Sequence, residues 1–252
     1  MVNLYKERFE TPKECLHAYV QLHPEYADIK ATYAGRLDPL AEGVLPILFG
    51  EAVHKKDTIT ALPKEYRVQI LFGFSTDTAD VLGVLDKVEQ VSAPSLVTLL
   101  SVLNGLVGTR EQSYPLFSSK TVEGKQLHEY GRNGVQVELP THTITINSIT
   151  LTASSSIGVQ DIQSLVDAAC ARVTGDFRQE KIKAVWDDTL RKLSNKTFPL
   201  AEITVTCGSG AYMRELVKEI GDALGVPALA FSIVRTKVGD LTLEDAIHPH
   251  HG

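Results

Sequence analysis

The sequence predicts an α+β fold, a mixed and mostly antiparallel central sheet flanked by helices and loops. Three observations carry that expectation. Segments with strand-like alternation and segments with helical periodicity follow one another without a regular βαβ rhythm, which argues against a doubly wound sheet. No internal repeat divides the chain. The 252 residues, 43% hydrophobic and 22% charged, are enough to bury a sizeable core, so the chain reads as a single globular domain over residues 1–252.

Residues 11–24 read as a helix, with Thr11 as N-cap, Pro12 at the first helical position, and Cys15, Leu16, Ala18, Tyr19 and Leu22 on one side. Tyr33 to Gly43 is dense in turn formers, and Val44 to Phe49 behind it reads as a buried strand despite Pro46. Tyr66 to Phe74 alternates as a strand does and breaks at Gly73, after which Ser75 to Asp80 reads as a polar loop. Ser92 to Leu106 reads as a helix with Pro94 near its start and a Leu/Val face. Glu111 to Gly134 is loop-rich, and Thr141 to Thr152 alternates threonine with isoleucine and leucine like a half-buried strand. Helices are expected at 161–173 and 179–193, the second holding the only tryptophan, Trp186. Leu200 to Cys207 reads as a strand, Ala211 to Leu224 as a helix closed by Gly225, and Ala228 to Val238 as a strand.

Composition narrows the function classes. No segment approaches the roughly 20 apolar residues that a membrane span needs, and the start MVNLYKERFETPKE carries acidic residues and no apolar signal segment. A cytoplasmic protein with no membrane contact is expected. Cys15, Cys170 and Cys207 are odd in number and far apart, without CxxC spacing, so neither a disulfide framework nor a zinc site is expected. The tail His248-Pro249-His250-His251 sits at a chain end, where the fixed geometry of a metal site is not expected. The net charge of −6 gives no overall pull toward a polyanion. Basic residues gather locally at Lys55, Lys56, Lys64 and Arg67, at Lys120, Lys125 and Arg132, and from Arg172 to Lys196. Each group, taken alone, reads first as a solvated face.

Two segments carry candidate chemistry. Asp38 lies between Gly35 and Gly43 and directly before Pro39, which biases the aspartate toward an extended conformation and suits Pro39 to begin a helical turn. Alone, Asp38 reads as an N-cap. Thr206 to Arg214, TCGSGAYMR, places a glycine-rich strand-to-helix turn directly before an arginine in the first helical turn. Amides at such a turn favour an anion. An arginine so near a positive helix end implies a carboxylate or phosphate partner, the alternative being a solvated surface arginine.

Together these segments resemble a known family. Ala34 to Ala52, AGRLDPLAEGVLPILFGEA, resembles the signature around the catalytic aspartate of TruB-type pseudouridine synthases, which are specific to tRNA pseudouridine-55. Three further blocks follow in the family's order: Lys64-Glu65-Tyr66 with Thr76 to Asp80; Tyr114 to Lys120 with Gly124-Lys125; and Val205 to Arg214 followed by Ile233-Val234-Arg235-Thr236. The resemblance implies the pseudouridine synthase fold, no cofactor or metal, and the T-arm of tRNA as partner. No obligate protein partner is expected, and monomer is the default in the absence of heptads or repeats.

By this resemblance Asp38 would attack the target nucleoside, at the ribose C1′ or at the base, so that uracil detaches, rotates and rejoins the ribose through C5. Arg214 resembles the arginine that pairs with this aspartate and holds it charged. Tyr66 corresponds to the tyrosine that stacks on the extruded uracil and is proposed to help remove the C5 proton, and Ile233 to the apolar wall beside that base. Lys120, Lys125 and Arg132 fall in the segment that resembles the RNA-clamping thumb loop. Tyr33, Arg36, Lys64, Gly210 and Tyr212 complete the expected substrate-binding set.

The chain also departs from the pattern. Tyr33 stands where the family has a histidine that helps unstack the target base, and its ring can still stack. Arg36 replaces a threonine, and the N-terminal Lys-Pro-x-Gly-x-Thr-Ser element is not recognisable. Residues 155–198 read as a family-atypical insertion of two helices packed through Leu165, Val166, Val173, Ile182, Val185 and Trp186, with Arg172, Arg178, Lys181 and Lys183 as candidate RNA contacts. No C-terminal PUA-type RNA-binding domain is expected in the few residues after Val238. Two other readings stay open at this point. One is a non-catalytic RNA-binding or RNA-folding protein on the same fold; the other is a hydrolase pairing Asp38 with Asp77 or Asp80 across a pocket.

Overall fold

The structure, a computed structural model, describes residues 1–250. Its strands are β1 (Val2–Lys6), β2 (Ala31–Tyr33), β3 (Glu42–Phe49), β4 (Lys64–Phe72), β5 (Phe74–Thr76), β6 (Leu85–Val88) and β7 (Gly108–Ser113). After these come β8 (Thr121–Val122), β9 (Lys125–Gln126), β10 (Thr141–Gly158), β11 (Thr197–Cys207), β12 (Ala228–Val238) and β13 (Leu241–Thr242). The helices are α1 (Pro12–Leu22), α2 (Lys56–Ala61), α3 (Leu96–Gly105), α4 (Leu127–Asn133), α5 (Val159–Arg172), α6 (Gln179–Lys192) and α7 (Met213–Leu224).

One nine-stranded sheet organises the chain, in the order β1-β3-β12-β4-β11-β10-β7, with β2 on β3 and β13 on β12. Every pairing in it is antiparallel except β3 with β12, where Val234 and Arg235 run beside Glu42 and Gly43. This is the α+β arrangement that the sequence predicts. β4 shows why alternation matters: Tyr66, Val68 and Ile70 are buried while Glu65, Arg67 and Gln69 are not. β3 is buried from Gly43 to Phe49, as its unbroken apolar run requires. Pro46, which has no N–H to give, still accepts from the Ala34 N–H at 2.9 Å and tethers the preceding loop.

The helices follow their sequence signals closely. Thr11 caps α1 in a reciprocal box with Glu14, and Cys15 and Tyr19 face inward while Leu22 stays exposed. α7 presents Met213, Leu216, Val217 and Ile220 to the sheet and ends at Gly225 in the left-handed conformation. α3 starts later than expected: Ser95 caps it, so Pro94 lies outside the helix.

The stretch read from sequence as an insertion forms two helices, α5 and α6, which begin further along than residue 155. β10 runs to Gly158 and stays paired with β11 up to Thr197, so the excursion leaves and rejoins the sheet at adjacent points. Val166, Val173, Ile182 and Trp186 are buried as expected, Leu165 and Val185 only half-buried. Trp186 anchors the pair to the body: its indole N–H donates to the Gly83 carbonyl at 3.0 Å and its ring stacks on Phe74. Burying a side chain of that size contributes about 3 kcal/mol.

Three other stretches differ from expectation. β1 and β2, too short to show periodicity, join the sheet beside β3. The loop-rich stretch 111–134 holds the end of β7 and all of α4. Ser75 to Asp80 is polar yet not solvated, because Thr76, Thr78 and Asp80 are buried. No helix among the described residues is long and apolar enough to cross a membrane.

Candidate functional site

The Asp38 loop joins β2 to β3, and its shape comes from groups that hold its carbonyls. No helix follows Asp38; one turn closes through the Ala41 N–H to the Asp38 carbonyl at 3.0 Å, so the aspartate is not an N-cap. From behind, the buried Lys6 ammonium donates to the carbonyls of Ala41 at 2.6 Å and Pro39 at 3.4 Å, and the Phe9 N–H donates to Pro39 at 2.7 Å. Burial pulls the Lys6 pKa down to about 8. From the side, Arg235 donates to the carbonyls of Gly35 at 3.0 Å and Val44 at 2.8 Å. Gly43, at φ +104°, lies so close to β12 that an added Cβ would sit 2.3 Å from the Arg235 carbonyl oxygen.

Lys6 and Phe9 also bear on the N-terminal element that the sequence does not show plainly. Lys6, Phe9 and Thr11 stand at the spacing of the lysine, glycine and threonine of the Lys-Pro-x-Gly-x-Thr-Ser element, with Glu7 and Pro12 in place of proline and serine. Phe9 adopts φ +72°, the left-handed conformation that suits glycine, and its ring is buried in the core.

Arg214 extends from the first turn of α7 into the floor of the cleft. Its Nε donates to Asp38 Oδ2 at 2.8 Å, Nη1 to the Thr78 carbonyl at 2.8 Å and Nη2 to the Phe117 carbonyl at 3.2 Å. Asp80 Oδ2 lies 3.6 Å from the same Nε. Burial opposes the charge on Arg214, but the Asp38 and Asp80 carboxylates outweigh it and raise its pKa further. The two carboxylates differ in access. The Asp38 side chain is 35% exposed and that of Asp80 only 6%, so one of them can reach a ligand. Burial raises the Asp80 carboxyl to about 6, against the pull of Arg214 and the Thr78 hydroxyl. Asp38 and Asp80 thus share one arginine, and Asp77 is engaged by Arg178, so no pair of carboxylates faces across a pocket as the hydrolase reading needs.

Asp38 opens into a cavity of about 520 Å³, a usual size for a small-ligand site. Tyr33, Arg36, Lys64, Tyr66 and Arg132 line it with Asp38, as do Gly210, Tyr212, Arg214 and Ile233. Tyr66 is buried, which raises its pKa, and its hydroxyl bonds to Arg235. Burial, with Asp38 nearby, pushes Tyr212 up to about 12. Lys64 turns its ammonium onto the carbonyls of Thr60 and Leu62, and burial pulls it down to about 8. Two predicted residues stay outside: Lys125 is exposed on its hairpin, and Lys120 lies over the Tyr114 ring at 4.8 Å. Of the four basic residues predicted in the insertion, Arg178 reaches the cavity, Lys183 pairs with Asp167 and Asp187, and Arg172 and Lys181 are exposed.

Among the described residues no group of three or more His, Cys, Asp or Glu side chains is placed to hold a metal ion. In the histidine tail, His248 and His250 pair with Glu7 and Glu10, and His251 lies outside the described residues. Sequence reasoning gave Arg235 no role, and named Asp80 only as a carboxylate partner in the hydrolase reading. Both stood inside recognised blocks, and only the fold shows that they are buried against the loop and the tyrosine.

Comparisons with known proteins bear on the family. The family described as TruB family pseudouridylate synthase (N terminal domain) matches residues 23–174, a stretch that holds the Asp38 loop, β4 and the Thr76–Asp80 loop. The chain is 35% identical over 219 residues to tRNA pseudouridine synthase B of Bacillus licheniformis, covering 86% of this chain and 59% of that one. Against the protein of the same name from Listeria monocytogenes serovar 1/2a it is 32% identical over 248 residues, covering 98% and 68%. The chain therefore spans about three fifths to two thirds of the length of these relatives. Among solved structures, a Cbf5-Nop10-Gar1 complex matches with a TM-score of 0.58 at 20% identity, over 99% of this chain and 52% of that one, a likeness of fold. With a matching family over most of its length and relatives above 30% identity, the chain belongs to the TruB family of pseudouridylate synthases.

Proposed function

We propose that this chain isomerises uridine to pseudouridine in tRNA, at position 55 of the T-loop, with Asp38 as nucleophile and the target nucleotide flipped out of its loop. One observation carries the reading: a single accessible carboxylate rests on a buried arginine at the floor of a nucleoside-sized cavity. The name shared by the bacterial relatives supports tRNA as the RNA.

The rearrangement conserves every heavy atom and is redox-neutral, so the reading calls for no cofactor. Asp38 attacks the ribose C1′ or the base, the C1′–N1 bond breaks and uracil turns; C5 joins C1′, the bond to Asp38 breaks and restores its carboxylate, the C5 proton leaves and N1 is protonated. Arg214 supplies fixed counter-charge that needs no reorganisation during reaction. Tyr66 stacks on the flipped base, its hydroxyl oriented by Arg235, and Ile233 closes the apolar side. Tyr33, Arg36, Lys64, Arg132, Gly210 and Tyr212 bind the nucleotide and its flanks, and Lys120 and Lys125 meet phosphates further along the T-arm. In this reading the protein is a cytoplasmic monomer that needs no obligate protein partner.

Tritium release from C5-labelled uridine in a tRNA transcript tests the proposal, with wild type and Asp38→Asn side by side and the modified position mapped. Release by wild type alone, at position 55, is expected. Release by both proteins sinks the nucleophile; binding without release by wild type leaves an RNA-binding protein.

A further inference from the structure

The connection between α5 and α6, residues 174–178, reaches to the mouth of the cleft and is tied there from three parts of the chain. The Thr174 hydroxyl donates to Glu14 of α1. The Asp176 carbonyl accepts from Arg132 Nη2 of α4 at 2.7 Å. Arg178 clasps Asp77, which directly follows β5, with Nη1–Oδ2 at 2.5 Å and Nη2–Oδ1 at 3.1 Å, and its guanidinium lies 4.3 Å from the centre of the Phe117 ring. Asp176, Phe177 and Arg178 line the same cavity as Asp38. A link between two surface helices has no need of such contacts and ordinarily points to solvent.

The charges at the two ends of the cavity set what can enter. Asp38 repels an anion, so any phosphate on the ligand must stay toward the more open lining, where Arg36 and Arg132 are exposed and Arg178 half-buried, three cations against the one exposed carboxylate of Asp176. A nucleotide flipped out of an RNA chain meets both demands, with a neutral base below and its flanking phosphates above. The planar fork of arginine suits a phosphate as well as it suits a carboxylate. The present partner of Arg178 is easily exchanged, since the Arg178 and Asp77 side chains are 18% and 32% exposed and ion pairs open to water hold weakly. Phe117 keeps the guanidinium oriented during that exchange.

Resting on the proposed RNA reading, we propose that the α5–α6 connection is a third RNA-binding wall, in which Arg178 leaves Asp77 for a backbone phosphate beside the flipped nucleotide. Arg178 is a binding residue contributed by the helical insertion, opposite the Asp38 loop.

The test compares Arg178→Gln, Arg178→Lys and Asp77→Asn in the full chain with a tRNA transcript, reading KM, kcat, salt dependence of binding and thermal midpoint. Arg178→Gln is expected to raise KM about tenfold with kcat little changed, and to reduce the slope of log affinity against log salt by about 1. Arg178→Lys keeps the charge and therefore the slope, with a smaller rise in KM. Asp77→Asn breaks the same ion pair but leaves the arginine, so KM stays near wild type. Wild-type KM and slope in Arg178→Gln overturn the inference. So does an equal rise in KM in Arg178→Gln and Asp77→Asn with a lowered midpoint, which would make the pair a brace. Failure of the isomerase reading shows separately, as absence of tritium release by wild type.

Discussion

Arg214 and Arg178 each hold an aspartate, at 2.8 and 2.5 Å, yet the two pairs belong to different regimes. The two aspartates are about equally open, at 35% and 32%, but the Arg214 side chain is 4% exposed against 18% for Arg178, and the other Arg214 donors bind two backbone carbonyls. Taking one partner from a buried pair strands the other, at about 3–5 kcal/mol. Breaking a pair at the surface costs about 0–1 kcal/mol. The floor of the cleft is therefore fixed by folding before any substrate arrives, whereas the mouth holds charges that can change partners. Floor variants should lose stability and kcat together, and mouth variants should lose affinity alone.

The largest expected effect is at the floor. Arg214→Met leaves Asp80 buried beside Asp38 with no counter-charge and two carbonyls without donors. It should lower unfolding stability by about 3–5 kcal/mol, measured by urea titration, and abolish tritium release. Wild-type stability in this variant would mean that the floor relaxes and that the contrast with the mouth is false. Gly43→Ala comes next, since it forces a side chain onto φ +104° and onto the Arg235 carbonyl at 2.3 Å. A loss of about 2–4 kcal/mol is expected, with kcat lowered because the Asp38 loop must shift.

Asp80 sharpens the comparison through pH. Burial raises its carboxyl from the ordinary 3.8 to about 6, so the folded protein holds this proton more tightly than the unfolded chain. The resulting stability is fully present below about pH 3.8 and is lost as pH rises through 6. About two pKa units correspond to roughly 3 kcal/mol. Asp80→Asn cannot titrate, so its stability relative to wild type should improve by up to that amount between pH 4 and 7. A constant difference across that range would show that Asp80 is ionised throughout.

What was legible in the sequence divides along the same line. The Asp38 loop announced itself through Gly35, Pro39 and Gly43, because left-handed and proline-fixed backbone can be filled by few residues. The bounds of β12 and the two insertion helices followed from periodicity over ten or more residues. Asp80 was not legible, since Ser75 to Asp80 has the composition of a solvated loop. It is buried because it satisfies itself: the Thr78 hydroxyl donates to Asp80 Oδ1 at 2.7 Å, the Thr76 hydroxyl to its carbonyl at 2.7 Å. Arg235 stood in the sequence only within the block Ile233 to Thr236, and the pairing of β12 with β3 is what brings it against the loop. β7, Gly-Thr-Arg-Glu-Gln-Ser, buries Gln112 alone, as an edge strand can, so no apolar alternation marked it.

The smallest effect tests whether the mouth is defined by position or merely by charge. The sequence offered Arg172, Arg178, Lys181 and Lys183 as equivalent candidates, and the structure separates them. Lys183 lies between Asp167 of α5 and Asp187 of α6, on a face of the insertion away from the cavity lining. Lys183→Gln should therefore leave KM and the salt slope of tRNA binding at their wild-type values, and move the thermal midpoint by no more than about 2 °C. A rise in KM as large as that of Arg178→Gln would mean that RNA lies along the whole insertion and is drawn by its field. In that case the exchangeable region is a surface of two helices, and Arg178 is one charge among several on it.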